Sequence, residues 1–276
     1  MRIALAQMTS GIDPAANGTA LIDALGAARA GGAAMLFAPE MALLLDRDRA
    51  RAAPHVVAEE ENGALAAVRA ATRDAGLWLA LGSLPVADPV VGKWRNRSLL
   101  IGPDGVVRAR YDKMHLFDVS LAGGESWRES NAYAAGDAPV VGTAAERATL
   151  GLSICYDLRF PMLYRALARA GAELIAVPAA FTVPTGQAHW HVLLRARAIE
   201  TASFVVAAAQ VGRHADGRAT YGHSLVVDPW GEVLLDMGDD GPGVGFADID
   251  LARRAEVLAQ VPVLDNARPV GEAVRA

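Results

Sequence analysis

Short apolar runs and amphipathic stretches take turns along almost the whole chain, and no other feature restricts the fold as tightly. Runs of a few aliphatic residues read as buried strands, and longer stretches with apolar residues three to four apart read as helices packed against them. Strands are expected at Ile3–Gln7, Ala34–Phe37, Trp78–Ser83, Asn96–Ile101, Val106–Arg110, Ala148–Ile154, Leu174–Val177, Phe204–Ala208, Gly222–Val227, Val233–Asp236 and Gly243–Asp248. Helices are expected at Pro14–Ala30, Asn62–Ala75, Pro161–Ala170, Gln187–Thr201 and Leu251–Ala259, with Gly31, Gly32 and Gly171 as stop signals. Two strand pairs are joined by turn chemistry instead: "IGPDGVV" and "VVDPWGEV" place proline and glycine where a hairpin bends. The chain is therefore α/β with mixed sheets. Its 276 residues, 53% hydrophobic, suffice for one compact domain over 1–276, with no linker or solenoid repeat to divide it. The closing stretch "VPVLDNARPVGEAVRA", from about residue 260, has no clear period and is expected to wrap a surface or pack on a partner subunit.

Charge and cysteine usage exclude several partner classes. With 26 basic and 31 acidic side chains the formal charge is −5, and no long block of like charges recruits nucleic acid or a membrane surface. A small molecule or a protein fits better. The single cysteine excludes an intrachain disulfide, and "MRIALAQM" runs straight into an alternating strand pattern, so a cytoplasmic protein is expected. The apolar stretch Ala33–Leu45 is interrupted by Pro39 and Glu40 and is too short to span a bilayer.

That one cysteine, Cys155, lies between the apolar run "ATLGLSI" and the proline-started helix "PMLYRALARAGA". A strand-to-helix turn can expose a thiol at a sheet edge beside backbone N–H groups able to bind an oxyanion. Position alone favours the plainer reading, because an unpaired cysteine is most often a small buried hydrophobe. Attack on an amide would need a base, a cation or dipole for the oxyanion, and an acid for the leaving amine. Glu40 ends an apolar run in "MLFAPEM", where partial desolvation would raise its pKa toward the range useful for proton transfer; a helix-start carboxylate is the equal alternative. Of the 26 basic residues only Lys93 and Lys113 are lysine. Lys113, amid the apolar neighbours of "RYDKMHLFD", therefore reads as a point charge aimed into a site, or as a snorkelling surface lysine.

At these residues the chain resembles the nitrilase superfamily of carbon–nitrogen hydrolases over nearly its whole length. The matching blocks are "FAPEM" at Glu40, "YDKMHLFD" at Lys113, "RESNAYAAGD" at Glu129 and "GLSICYDLRFP" at Cys155. The resemblance implies a four-layer α-β-β-α sandwich, a homodimer or higher homo-oligomer paired through helices, and a Glu40–Lys113–Cys155 triad supported by Glu129. It also implies amide hydrolysis through a thioester, with the Tyr156 N–H at the oxyanion and no cofactor or metal. Downstream, "HVLLRARAIETASFVVAAAQVGRH" and "YGHSLVVDPWGEV" resemble the branch of deaminated-glutathione amidases and ω-amidases, and "QVGRH" leans toward the former. Relatives commonly show a glutamate where this chain has His191, which is expected at the pocket edge. Arg159, Arg195, Arg197 and His191 are candidates for holding a substrate carboxylate, while Phe181 and Thr185 in "AAFTVPTG" are candidates for a pocket wall.

Other readings stay open at this stage. N-carbamoyl hydrolysis and nitrile hydrolysis use similar groups, and a silent oligomeric module would explain the apolar content, although it need not have kept all four site residues. His189 and His191 would share one face of a strand and suggest a metal hydrolase, but they precede a helical pattern; His223 reads as a hydrogen-bonded core residue.

Overall fold

The computed structural model describes every residue except 121–125, 274 and 276, so the end of the closing stretch lies outside the described residues. Two sheets face each other. In the first, Gly243–Asp248, Arg2–Gln7, Met35–Phe37, Trp78–Ala80 and Lys93–Ile101 follow in order, and Lys93–Ile101 also pairs with Leu84–Asp88 and Val107–Asp112. In the second the order is Val233–Asp236, Leu225–Val227, Phe204–Ala207, Leu174–Ala176, Thr149–Leu152 and Val140–Thr143. Each sheet has three parallel strands at its centre and antiparallel strands outside them, the mixture expected from helical crossovers plus hairpins.

The period-two alternation of strands sorts the layers. Ile3, Leu5, Met35 and Phe37 point into the core shared with Leu150, Leu152 and Leu174 of the second sheet. Ala4, Ala6 and Leu36 point the other way, onto Leu21, Leu25, Leu65 and Val68 of the helices Pro14–Ala30 and Gly63–Ala75. Leu163, Leu167, Trp190 and Leu194 bring the helices Pro161–Arg169 and Val183–Thr201 onto the second sheet, completing the four layers. Met162, Val192 and Ile199 stand exposed on these last two helices.

Helix ends follow local chemistry. Asp13 caps the first helix by accepting from the N–H groups of Ala15 and Ala16, and Asn62 caps the second through Leu65 N–H. The helix expected from Gln187 starts earlier, at Val183, because Pro184 fits a first turn that needs no N–H from it. Gly222–Val227 shortens to Leu225–Val227, since Gly222 and His223 both adopt left-handed backbone with φ of 74° and 54°. Leu84–Asp88, Val140–Thr143 and the small hairpins Asp118–Ser120/Ser126–Arg128 and Val211–Arg213/Ala219–Tyr221 are additional strands, most of them too short to show a period. Beyond residue 260 the chain touches the body where Arg165 donates to the Val263 carbonyl. No helix among the described residues is long and apolar enough to cross a membrane.

Candidate active site

Three of the chemically distinctive residues sit just past strand ends. Glu40 follows Met35–Phe37, Lys113 follows Val107–Asp112, and Cys155 follows Thr149–Leu152. Carboxyl ends of parallel strands are where open α/β sheets leave a crevice for ligands, and here two facing sheets contribute to one crevice. Gly82 keeps the chain behind Glu40 tightly packed: at φ 38°, a Cβ there would stand 2.0 Å from the Pro39 carbonyl oxygen. Met41 and Cys155 hold left-handed backbone at φ 56° and 48°, a conformation that costs a non-glycine residue about 1–2 kcal/mol and aims each turn into the crevice.

Lys113 is the hub. Its Nζ donates to Glu40 Oε1 at 2.9 Å and to Glu129 Oε2 at 3.0 Å, and its side chain is only 2% exposed. Asn96 bridges the same carboxylates from the other side, its amide nitrogen 3.0 Å from Glu40 Oε1 and 3.2 Å from Glu129 Oε1. Glu40 Oε2 accepts from the Ala180 N–H, its side chain hydrogen-bonds Cys155, and its backbone carbonyl accepts from Gln210. Glu129 also accepts from Phe117 N–H. Asp157, fully buried, accepts from Tyr111 Oη, His115 N–H and Ile154 N–H, so it ties the lysine's loop to the nucleophile's loop.

The electrostatics set a definite resting state. Burial alone would push the Glu40 carboxyl up, but the Lys113 charge and hydrogen bonds from Lys113, Cys155 and Asn96 hold it below the usual carboxylate range. Burial works against the Lys113 ammonium, yet Glu129 and Glu40 outweigh it and raise its pKa well above normal. Burial, reinforced by the Glu40 charge, pushes the Cys155 thiol up, with Lys113 opposing. At neutral pH the site therefore holds a thiol, an ionised Glu40 and an ammonium: a nucleophile still carrying its proton, a base beside it and a cation in reach.

These groups open into a cavity of about 530 Å³, large enough for a small organic substrate. A model of the carbon–nitrogen hydrolase family matches residues 2–258. The chain belongs to the carbon–nitrogen hydrolase family. A human protein named deaminated glutathione amidase is 40% identical over 270 residues, 97% of this chain and 82% of its own length. First-matching Synechocystis proteins of the same name are 48% identical over 66% of this chain and are spanned over 66% of their length. Among solved structures, the Caenorhabditis elegans NitFhit protein superposes with a TM-score of 0.89 at 38% identity, over 97% of this chain and 65% of that one. An amidase from Nesterenkonia sp. AN1, carrying acrylamide added to its active-site cysteine, superposes with a TM-score of 0.78 at 31% identity, over 94% of this chain and 99% of that one. Nitrilase-superfamily members stand among these structural relatives.

In this carbon–nitrogen hydrolase, Glu40, Lys113, Glu129, Cys155, Tyr156, Arg159, Phe181 and Thr185 all line the cavity. His191 does not. Its Nε2 lies 2.9 Å from Asp236 Oδ2 on the outside of the second sheet, so the expectation of a pocket-edge contact is corrected. Thr185 and His191 are six residues apart on one helix, which turns the second side chain roughly 120° away from the first. Arg195 donates to the Gly231 carbonyl, and Arg197, buried, to the Leu158 carbonyl; neither reaches the cavity. His189 and His191 point apart because they sit on a helix, His189 toward Arg159 and His191 toward Asp236. The sequence reading missed Asn96, whose role depends on which strands become neighbours, and four further arginines of the cavity wall, Arg47, Arg49, Arg128 and Arg218. The chain's bias toward arginine hid them, as it made Lys113 visible.

Proposed function

We propose that this hydrolase is a cysteine-dependent amidase that releases ammonia from a small carboxylate-bearing amide, with deaminated glutathione as its substrate. The observation that carries the reading is one buried ammonium shared by two carboxylates, one of which contacts a protonated thiol. Glu40 takes the thiol proton as Cys155 Sγ bonds to the amide carbon, and the carbonyl electrons move onto an oxygen held by Lys113 and the Tyr156 N–H. Collapse breaks the carbon–nitrogen bond, and Glu40 returns its proton to the departing ammonia. Glu40 then deprotonates a water that attacks the thioester; the carbon–sulfur bond breaks and the thiol regains its proton. Glu129 keeps the ammonium in register throughout. The cysteine adduct in the Nesterenkonia amidase supports covalent chemistry at this position.

For the substrate, support comes from the names of the relatives and from the arginines of the cavity wall. Arg159 lies over the rings of Tyr156 and Phe181, 5.8 and 5.6 Å from their centroids, and approaches His189, with no carboxylate partner among the described residues. It is poised for a substrate carboxylate. Ammonia release should be fastest, by kcat/KM, with deaminated glutathione in a panel containing α-ketoglutaramate, N-carbamoyl amino acids and simple nitriles. Arg159→Gln should lower kcat/KM for that substrate by about 10-fold or more, chiefly through KM, as expected for loss of a charge-assisted hydrogen bond. Preference for a nitrile or an N-carbamoyl compound would overturn the substrate assignment.

Asn96 acts through the carboxylates it bridges. Asn96→Leu removes one of the hydrogen bonds that hold Glu40 low, so the Glu40 pKa should rise and the acid limb of kcat/KM against pH should move to higher pH. A profile that drops in height without moving its acid limb would reduce Asn96 to a packing role.

A further inference from the structure

His191, displaced from the pocket, has two partners of its own kind. His223 Nδ1 lies 2.9 Å from Asp236 Oδ1 while His191 Nε2 lies 2.9 Å from Asp236 Oδ2, and the donor atoms of all three residues fall within 4.8 Å of one another. They come from three separate segments: the helix Val183–Thr201, the left-handed turn before Leu225–Val227, and the last residue of Val233–Asp236. We propose that His191, His223 and Asp236 form a binding site for a first-row divalent transition metal, outside the reaction centre.

Chemistry and spacing both fit. Two imidazoles and one carboxylate suit zinc, nickel or cobalt better than calcium or magnesium, which prefer all-oxygen shells. Metal–ligand bonds of about 2.1 Å put neighbouring donor atoms about 3.0 Å apart at octahedral angles and about 3.4 Å apart at tetrahedral ones. Both nitrogen–oxygen separations are already near the first value. Coordination would need each of these nitrogens to shed its proton, to solvent or to the other ring nitrogen.

The donors are also held in place by groups that do not ligate. Trp190 Nε1 donates to the His223 carbonyl at 2.8 Å, His223 N–H donates to the Gly238 carbonyl at 2.7 Å, and Gly238 N–H donates to Asp236 Oδ1 at 2.9 Å. The Tyr221 ring stacks on His223 with centroids 4.4 Å apart. Such outer contacts orient ligands before the ion arrives. The three side chains remain 34%, 21% and 33% exposed, so an ion can reach them from solvent. Their neighbours lead inward: Trp190 packs on Phe181, and Tyr221 follows Thr220, both cavity-lining positions. A bound ion would clamp that helix to the turn that follows the hairpin Val211–Arg213/Ala219–Tyr221, whose Ala219 and Thr220 line the cavity.

Untagged, full-length protein titrated with Ni2+ by calorimetry tests this, in a Cys155→Ala background so that the thiol cannot compete. One equivalent should bind, and His191→Gln and His223→Gln, which each keep an N–H for Asp236, should weaken binding by at least about 10-fold. Ni2+ should raise the unfolding temperature of the parent and not of the glutamine variants. In the parent itself, Ni2+ should broaden the imidazole resonances of His191 and His223 ahead of those of His55, His115, His189 and His214. Absence of saturable binding, parental affinity in either glutamine variant, or broadening centred on another histidine would each overturn the site.

Discussion

Cys155→Ala should lose turnover by a factor on the order of 10⁵ to 10⁶ while keeping its fold, and Cys155→Ser should lose nearly as much. The size follows from what is removed. Without Sγ there is no thioester route, and direct attack by water would need Glu40 to activate a nucleophile in a site shaped around a bond to sulfur. Serine supplies an oxygen of much higher pKa, and the surroundings already push the thiol itself up, so a hydroxyl there is harder still to deprotonate. The fold should tolerate the change because alanine removes a single heavy atom from a residue that already lines a cavity. Alanine meets the same left-handed backbone strain at φ 48° as cysteine does. Single-turnover assays with intact-mass detection give the readout: an acyl adduct on the parent, none on either variant. An alanine variant that retained more than a thousandth of parental kcat would remove Cys155 from the chemistry.

How far these residues were legible in the sequence depended on whether their significance was local. Cys155 and Lys113 stood out as exceptions to composition, one thiol in the chain and one lysine in an apolar setting among arginines. Glu40 stood out as a charge closing an apolar run. Their convergence was supplied only by the order of four blocks that resemble a known superfamily, and the geometry then brought all four side chains to one cavity. Asn96 had no comparable mark. An asparagine within "KWRNRSLLI" reads as a weak point in a strand, and it becomes a bridge only because Val107–Asp112 pairs beside Lys93–Ile101 and delivers Lys113 to the same end. Glu40 held a further surprise. Partial burial suggested a raised pKa, whereas the Lys113 charge and the hydrogen bonds to the buried carboxylate outweigh the effect of burial and lower it. A base with depressed pKa is ionised at neutral pH, which suits the acceptance of a proton from a raised thiol only if both shift together as substrate enters and Lys113 turns toward the oxyanion.

The layers were legible for a similar reason. Long strands with a clean alternation were placed to within a few residues, and the expected Gly243–Asp248 and Val233–Asp236 coincide with the observed limits. Three-residue strands such as Val211–Arg213 are defined by their partners, not by a period of their own. His191 failed for a third reason: its place at the pocket edge came from the resemblance alone, and on the helix Val183–Thr201 the six residues after Thr185 rotate its side chain to another face.

Lys113→Met should cost about 3–5 kcal/mol of stability near neutral pH and lower kcat by about 10²- to 10³-fold, and the stability loss should shrink as the pH falls. Methionine keeps the length and apolar stem but removes the charge, leaving Glu40 and Glu129 facing each other with Asn96 as their remaining shared donor. In the parent, Glu40 titrates below its unfolded value of 4.5, so its contribution to stability is present above that pH and is lost on acidification. The Lys113 contribution has the opposite sense: its raised pKa stabilises the fold below 10.5 and is lost as pH rises through the folded value. The intact pair is thus strongest between those limits. Without the ammonium, burial and the facing Glu129 charge outweigh the hydrogen bonds that remain from Asn96, Cys155 and the Ala180 N–H, so the Glu40 pKa should lie above 4.5 and the variant gains stability on going down in pH where the parent loses it. Urea unfolding at about pH 7 and about pH 4.5 should show the difference between parent and variant falling toward the lower pH. A gap that stayed constant across that range would mean that Lys113 stabilises by packing alone, and a variant with parental kcat would mean that the oxyanion is held by backbone N–H groups without it.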